Sequence, residues 1–187
     1  PFWLKHFGSK KSVKFVAFRP LSQPKMAIGA AELFKASSVV TLIIYLKFFV
    51  SNLRWGFAKG KANIRAKEDF NNNPNAGPDD VEKANHAGRI VQNDLENIPM
   101  GLVVIWASLL TVATATTAPD QEALCTAHLV LTCLWGFFRV VHTVIYELHL
   151  GLPRSIVFMC SMLCLFSLMI VMVIAAFYMP ETAAYLR

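Results

Sequence analysis

The sequence predicts an all-α protein, a bundle of four transmembrane helices with a basic N-terminal arm. Three observations predict it. The 187 residues are 55% hydrophobic and only 16% charged, where a soluble domain carries about 25% charge. Four segments reach the roughly 20 mostly apolar residues that a spanning helix needs. Of the 18 Lys and Arg residues, six precede the first of these segments and seven lie around the connection that follows it. Backbone groups in lipid must be satisfied within their own segment, so the spans are helices and not strands.

The elements follow in chain order. Residues 1–25 hold Lys5, Lys10, Lys11, Lys14, Arg19 and Lys25 and no acid. That composition predicts a basic arm on a membrane surface, or the end of a processed targeting segment. Residues 26–179 form the membrane domain and 180–187 a short tail. The first span is expected at 26–50. The connection after it is basic, like the arm on the opposite side, so charge counting gives no orientation. The turn-rich stretch KEDFNNNPNAGPDD, residues 67–80, is the one obvious linker.

Asp79 and Glu82 have the spacing of a capping box, which predicts a second helix from Asp80 to Thr116. At 1.5 Å per residue it is about 55 Å long, against a hydrocarbon core of about 30 Å. Its first turns, with Glu82, Lys83, His86 and Arg89, must therefore project from the membrane. Pro99 is expected to kink it. The third span is expected at 122–148. The fourth, at 155–179, contains no charge. Cys125, Cys133, Cys160 and Cys164 all fall in spans, have no CxxC spacing, and read as buried apolar residues. His6, His86, His128 and His149 form no spaced set with carboxylates and read as surface or interfacial. The basic charge flanks spans, where anionic lipid accounts for it, so no nucleic-acid partner is expected.

Two polar stripes carry the chemistry. Arg89, Asn93 and Glu96 recur at i, i+4, i+7 on the second helix, with Asp94 about 100° away. Arg139, His142 and Tyr146 recur at i, i+3, i+7 on the third. Arg154 and Ser155 open the fourth. Ionisable residues at a span edge usually face the bundle interior, a wet cavity or a partner. Guanidinium groups gathered at one boundary call for a small polyanion, held by charge-assisted hydrogen bonds. Glu96 suits a ligand that also carries an ammonium group. Arg89 pairing with an acid of its own helix is the purely structural alternative.

The sequence RIVQNDLENIP, with Arg89, Asn93 and Glu96, resembles the second helix of the MAPEG family, and NDLEN matches its glutathione transferase form. The family's third-helix pattern appears whole as Arg139, His142, Thr143 and Tyr146. Its Pro-x-Arg-Ser element appears, shortened, as Pro153, Arg154 and Ser155. The resemblance covers residues 26–179. It implies a homotrimer of four-helix subunits binding glutathione between neighbours near the cytosolic face, in the endoplasmic reticulum membrane. Arg54, Arg89, Asn93, Glu96, Arg139, His142 and Tyr146 would bind glutathione, Arg54 from a neighbouring subunit. Arg154 and Ser155 would stabilise its thiolate. The activity implied is glutathione transfer to, or peroxide reduction of, lipophilic electrophiles from the bilayer.

Some residues depart from the pattern. Val91 stands where the family has histidine. Gln92 and Phe158 stand where its prostaglandin synthases have a basic residue and an aromatic hydroxyl, which disfavours that branch. With the basic arm, these departures leave a second expectation: a non-catalytic accessory subunit of a larger membrane complex, with a mitochondrial membrane as the alternative location. No metal site is expected.

Overall fold

The computed structural model describes residues 29–65 and 75–179. The basic arm, the C-terminal tail and most of the turn-rich linker lie outside the described residues. The described residues form four helices: α1 (Ala30–Lys61), α2 (Pro78–Thr114), α3 (Gln121–Glu147) and α4 (Gly151–Ala176). Each is long and apolar enough to cross a membrane.

The boundaries differ from the sequence reading where polarity and helix propensity part company. Helix α1 runs to Lys61, 11 residues past the expected end of its apolar run. The added turns contain Arg54, Lys59 and Lys61, which leave lipid but stay helical. The two lysines in the last turn also suit the negative end of the helix dipole. Helix α2 starts at Pro78, not Asp80. Proline is already set for the first helical position, and the Asp80 carboxylate accepts from the Gly77 N–H at 3.3 Å. The capping acid is therefore Asp80, and the expected Asp79–Glu82 pair does not form the cap. Helix α2 continues unbroken through Pro99. Helix α4 starts four residues early, at Gly151, with Pro153 inside its first turn.

Two helices end on a left-handed residue. Asn63 has φ 54° and His149 has φ 59°. The bonds Ile64 N–H to Lys59 C=O (3.1 Å) and Leu150 N–H to Ile145 C=O (3.3 Å) close the ends of α1 and α3, the pattern of a Schellman stop.

Helix α1 packs on α2 and α3, and α4 packs on the same two, while the backbones of α1 and α4 make no close approach. Helices α2 and α3 thus form the short diagonal of the bundle. Trp135 sits on that diagonal, fully buried. It is seated by a missing side chain, since a Cβ on Gly101 would stand 2.2 Å from its ring. Gly136 allows the same close approach between α3 and α1, where a Cβ would meet Val40 at 2.8 Å. Small residues at such crossings let membrane helices approach closely.

His128, read from sequence as a surface or interfacial residue, is fully buried. Its ring nitrogens meet Ser37 Oγ at 3.3 Å and Ser108 Oγ at 3.1 Å, with Thr132 Oγ1 at 3.5 Å. One imidazole therefore joins α1, α2 and α3 in the apolar interior. Of the cysteines, Cys125 and Cys164 are buried as expected, whereas Cys133 is exposed on the outer surface of α3 and Cys160 is half-buried.

Candidate functional site

The end of α1, the start of α2, the end of α3 and the start of α4 meet at one end of the bundle. There the last two turns of α3 act as a ladder of polar residues.

Arg139 is the lowest rung and is fully buried. Its Nη2 donates to Asn93 Oδ1 at 3.0 Å and to Asp94 Oδ1 at 3.2 Å. Lys47 of α1 donates to that same Asp94 oxygen. A single buried carboxylate on α2 thus receives cations from α1 and α3.

His142, one turn further on, is also buried. Its ring lies 5.8 Å from that of Tyr146, edge to face, and 6.0 Å from Phe158 of α4. Tyr146 forms the next rung. The Arg154 guanidinium stands over the Tyr146 ring at 4.5 Å, and the His86 ring approaches it at 5.2 Å.

The top rung is Glu147, which takes the Arg54 guanidinium through two contacts, 2.8 and 3.0 Å. His149, turned back by its left-handed backbone, stacks on His86 at 4.2 Å with the rings 11° from parallel. Beside them opens a cleft of about 490 Å³, lined by Arg54, Lys83, His86, Arg89, Glu147 and His149 among others. That volume lies in the range of small-molecule sites.

The predicted residues therefore fall into three groups. Asn93 bonds directly to Arg139. His142, Tyr146 and Arg154 touch in sequence. Arg54 and Arg89 line the cleft above them. Glu96 and Ser155 join none of these groups within one chain. Glu96 is exposed and accepts from Gln92 Nε2 at 3.0 Å. Ser155 is exposed, its hydroxyl donating to the Gly151 carbonyl at 3.4 Å.

Sequence reasoning passed over two residues. Asp94 was set aside as lying off the stripe, yet it is the buried acid to which Arg139 is bound. The sequence reading gives Lys47 no role, although a lysine set deep in the apolar run of a span needs an inward partner.

The arginines differ in what they offer a ligand. Arg139 and Arg54 have carboxylate partners within the chain. Among the described residues, Arg89 and Arg154 form no ion pair. An uncommitted guanidinium over an aromatic ring, beside a polar cleft, can receive a carboxylate or a thiolate. Among the described residues, no group of three or more His, Cys, Asp or Glu is placed to hold a metal ion.

Compared with known proteins, the chain matches the model of the MAPEG family over residues 36–174. No curated protein matches it, and no solved structure does.

Proposed function

The chain belongs to the MAPEG family, and from that premise we propose that it is a membrane glutathione transferase or glutathione-dependent peroxidase acting on lipophilic electrophiles. The observation that carries the reading is Arg154, a guanidinium seated on Tyr146 that pairs with no acid among the described residues. Glutathione has two carboxylates, an ammonium group and a thiol. A free thiol has a pKa of about 8.5, and adjacent positive charge raises its thiolate fraction. In this reading Arg154 holds the thiolate with help from Ser155, whose exposed hydroxyl can turn to donate. Arg54 and Arg89 take the carboxylates at the cleft, Asn93, His142 and Tyr146 bind the peptide, and Arg139 holds Asn93 from behind. Glu96 takes the ammonium group.

In transfer, the thiolate sulfur attacks the electrophilic carbon, and the leaving group departs with the electrons of its own bond. With a hydroperoxide, the sulfur attacks the outer oxygen and the O–O bond breaks, giving a glutathione sulfenic acid and an alkoxide that takes a proton from water to become the alcohol. A second glutathione then converts that acid to the disulfide and water. The exposed positions of Glu96 and Ser155 fit a ligand lying between copies of a homotrimer. The reading places the polar end of the bundle in the cytosol, with the endoplasmic reticulum as the membrane.

A second reading has its own observation. Arg139 and Arg54 are already neutralised within the chain, and Val91 is packed in the buried core. Both suit a non-catalytic subunit of a larger, for example mitochondrial, membrane complex. Titration of the detergent-solubilised protein with glutathione separates the two. The enzyme gives a rise in thiolate absorbance that Arg154→Ala abolishes, and a conjugate with a halonitrobenzene. Absence of binding at millimolar glutathione, with obligate co-purification of other subunits, overturns the enzymatic reading.

A further inference from the structure

We infer that Lys47 and Asp94 are positioning residues: together they hold Arg139 so that the Asn93 side chain presents its amide N–H edge to the ligand. The inference rests on the proposed glutathione site for its binding readout, and on the geometry of three helices for the rest.

Asp94 and Arg139 alone would make a neutral buried pair. An arginine facing a carboxylate ordinarily grips it with two parallel bonds. Here the grip is single. Only Nη2 of Arg139 reaches the carboxylate, at 3.2 Å, and it does so on Oδ1. That oxygen is already taken by Lys47. The same Nη2 also donates to Asn93 Oδ1, at 3.0 Å. Lys47 thus shares the single negative charge of the acid, and Arg139 meets Asp94 end-on, with Asp94 Oδ2 and Arg139 Nε and Nη1 left without a hydrogen-bond partner.

Lys47 is not explained by stability. Its side chain is 9% exposed and Asp94 is 1% exposed, so the bundle buries two cations against one acid. A surplus charge in a span is costly, and Asp94 keeps Arg139 as its counter-ion when Lys47 is replaced by an apolar residue. Its effect on Asn93 is specific. Arginine has donors only, so Asn93 must turn its oxygen toward Arg139 and its NH₂ to the other side. That edge suits an acceptor, a carboxylate or peptide carbonyl. Without Lys47 the whole charge of Asp94 falls to Arg139, which is drawn to fork onto the unpartnered Oδ2 and release Asn93, whose amide can then flip.

The test uses the full chain in detergent, comparing wild type, Lys47→Met, Lys47→Arg, Asn93→Ala and Lys47→Met/Asn93→Ala. Lys47→Gln replaces Lys47→Met if the latter does not fold. The unfolding midpoint of Lys47→Met is expected at or above wild type, while its glutathione Kd rises about tenfold. Lys47→Arg is expected to restore binding, and Lys47→Met to add nothing in the Asn93→Ala background. The Asn93 side-chain amide resonances, identified by their loss in Asn93→Ala, are expected to move in Lys47→Met without any ligand. Unmoved resonances, or an equal loss of affinity with and without Asn93, overturn the inference. If wild type binds no glutathione but the resonances move, the positioning stands and the proposed function fails. If neither occurs, both fail.

Discussion

Arg154 rests its guanidinium on the face of Tyr146, 4.5 Å from the ring centroid, and forms no ion pair among the described residues. The contact joins the first turn of α4 to the last turns of α3. It holds the cation in place without neutralising it, because an aromatic face attracts a guanidinium and leaves its in-plane N–H donors free.

Arg154→Ala is therefore expected to lower glutathione-dependent turnover by roughly 100-fold or more, the usual effect of removing one donor to a developing anion, while the helical circular dichroism stays unchanged. Tyr146→Phe keeps the ring face and should retain Arg154 in place. Tyr146→Leu removes that seat and should lose more activity than Tyr146→Phe. Steady-state rates with a halonitrobenzene for the three variants give the order.

Gly101 faces the Trp135 ring with no room for a methyl group, the added Cβ falling 2.2 Å from a ring carbon. Gly101→Ala is expected to destabilise by about 1–3 kcal/mol, the range for overpacking. Gly151→Ala, in the first turn of α4 where nothing lies within 4 Å, should change little. Thermal unfolding midpoints in one detergent compare the two directly.

His128→Ala removes the shared partner of three buried hydroxyl groups, Ser37, Ser108 and Thr132. Each orphaned group costs on the order of 1–3 kcal/mol, with a cavity term in addition. The loss should be visible as a lower unfolding midpoint. The triple change that also replaces Ser37 and Ser108 by alanine should cost less than the sum of its parts.

Arg54 and Glu147 form a two-contact pair with the arginine side chain 59% exposed. Exposure limits its worth to about 1 kcal/mol or less. Arg54→Ala should leave the unfolding midpoint nearly unchanged. If the cleft holds glutathione carboxylates, it should instead raise KM, with a smaller effect at high salt because screening already weakens the contact.

The four spans were legible because lipid demands long apolar runs whatever the packing. The inward face of α2 was harder. The stripe Arg89, Asn93, Glu96 was picked out by polarity, and in water polarity marks a face well. In this bundle the buried positions of α2 include Ile90, Val91, Asp94, Ile98, Gly101 and Ile105, and Asp94 is the one charge among all its buried positions. Arg89 and Glu96 are exposed, and Asn93 sits at the border. The apolar periodicity around Asp94 held the answer, since a charge within that series needs a buried partner. Lys47 was the partner available on α1. The stripe on α3 was read more fully: Arg139 and His142 are both buried and Tyr146 half-buried. The stacking of His86 on His149 was out of reach, because it depends on where a left-handed residue turns the chain after α3.

Helices α1 and α4 each lean on the central pair, with no close backbone approach to each other. Mechanically they are two separate leaves on one spine. A displacement of the leaf that carries Arg154 reaches the leaf that carries Lys47 and Arg54 through the spine on which both pack. Tyr146 under Arg154 and Glu147 under Arg54 are adjacent points on that spine.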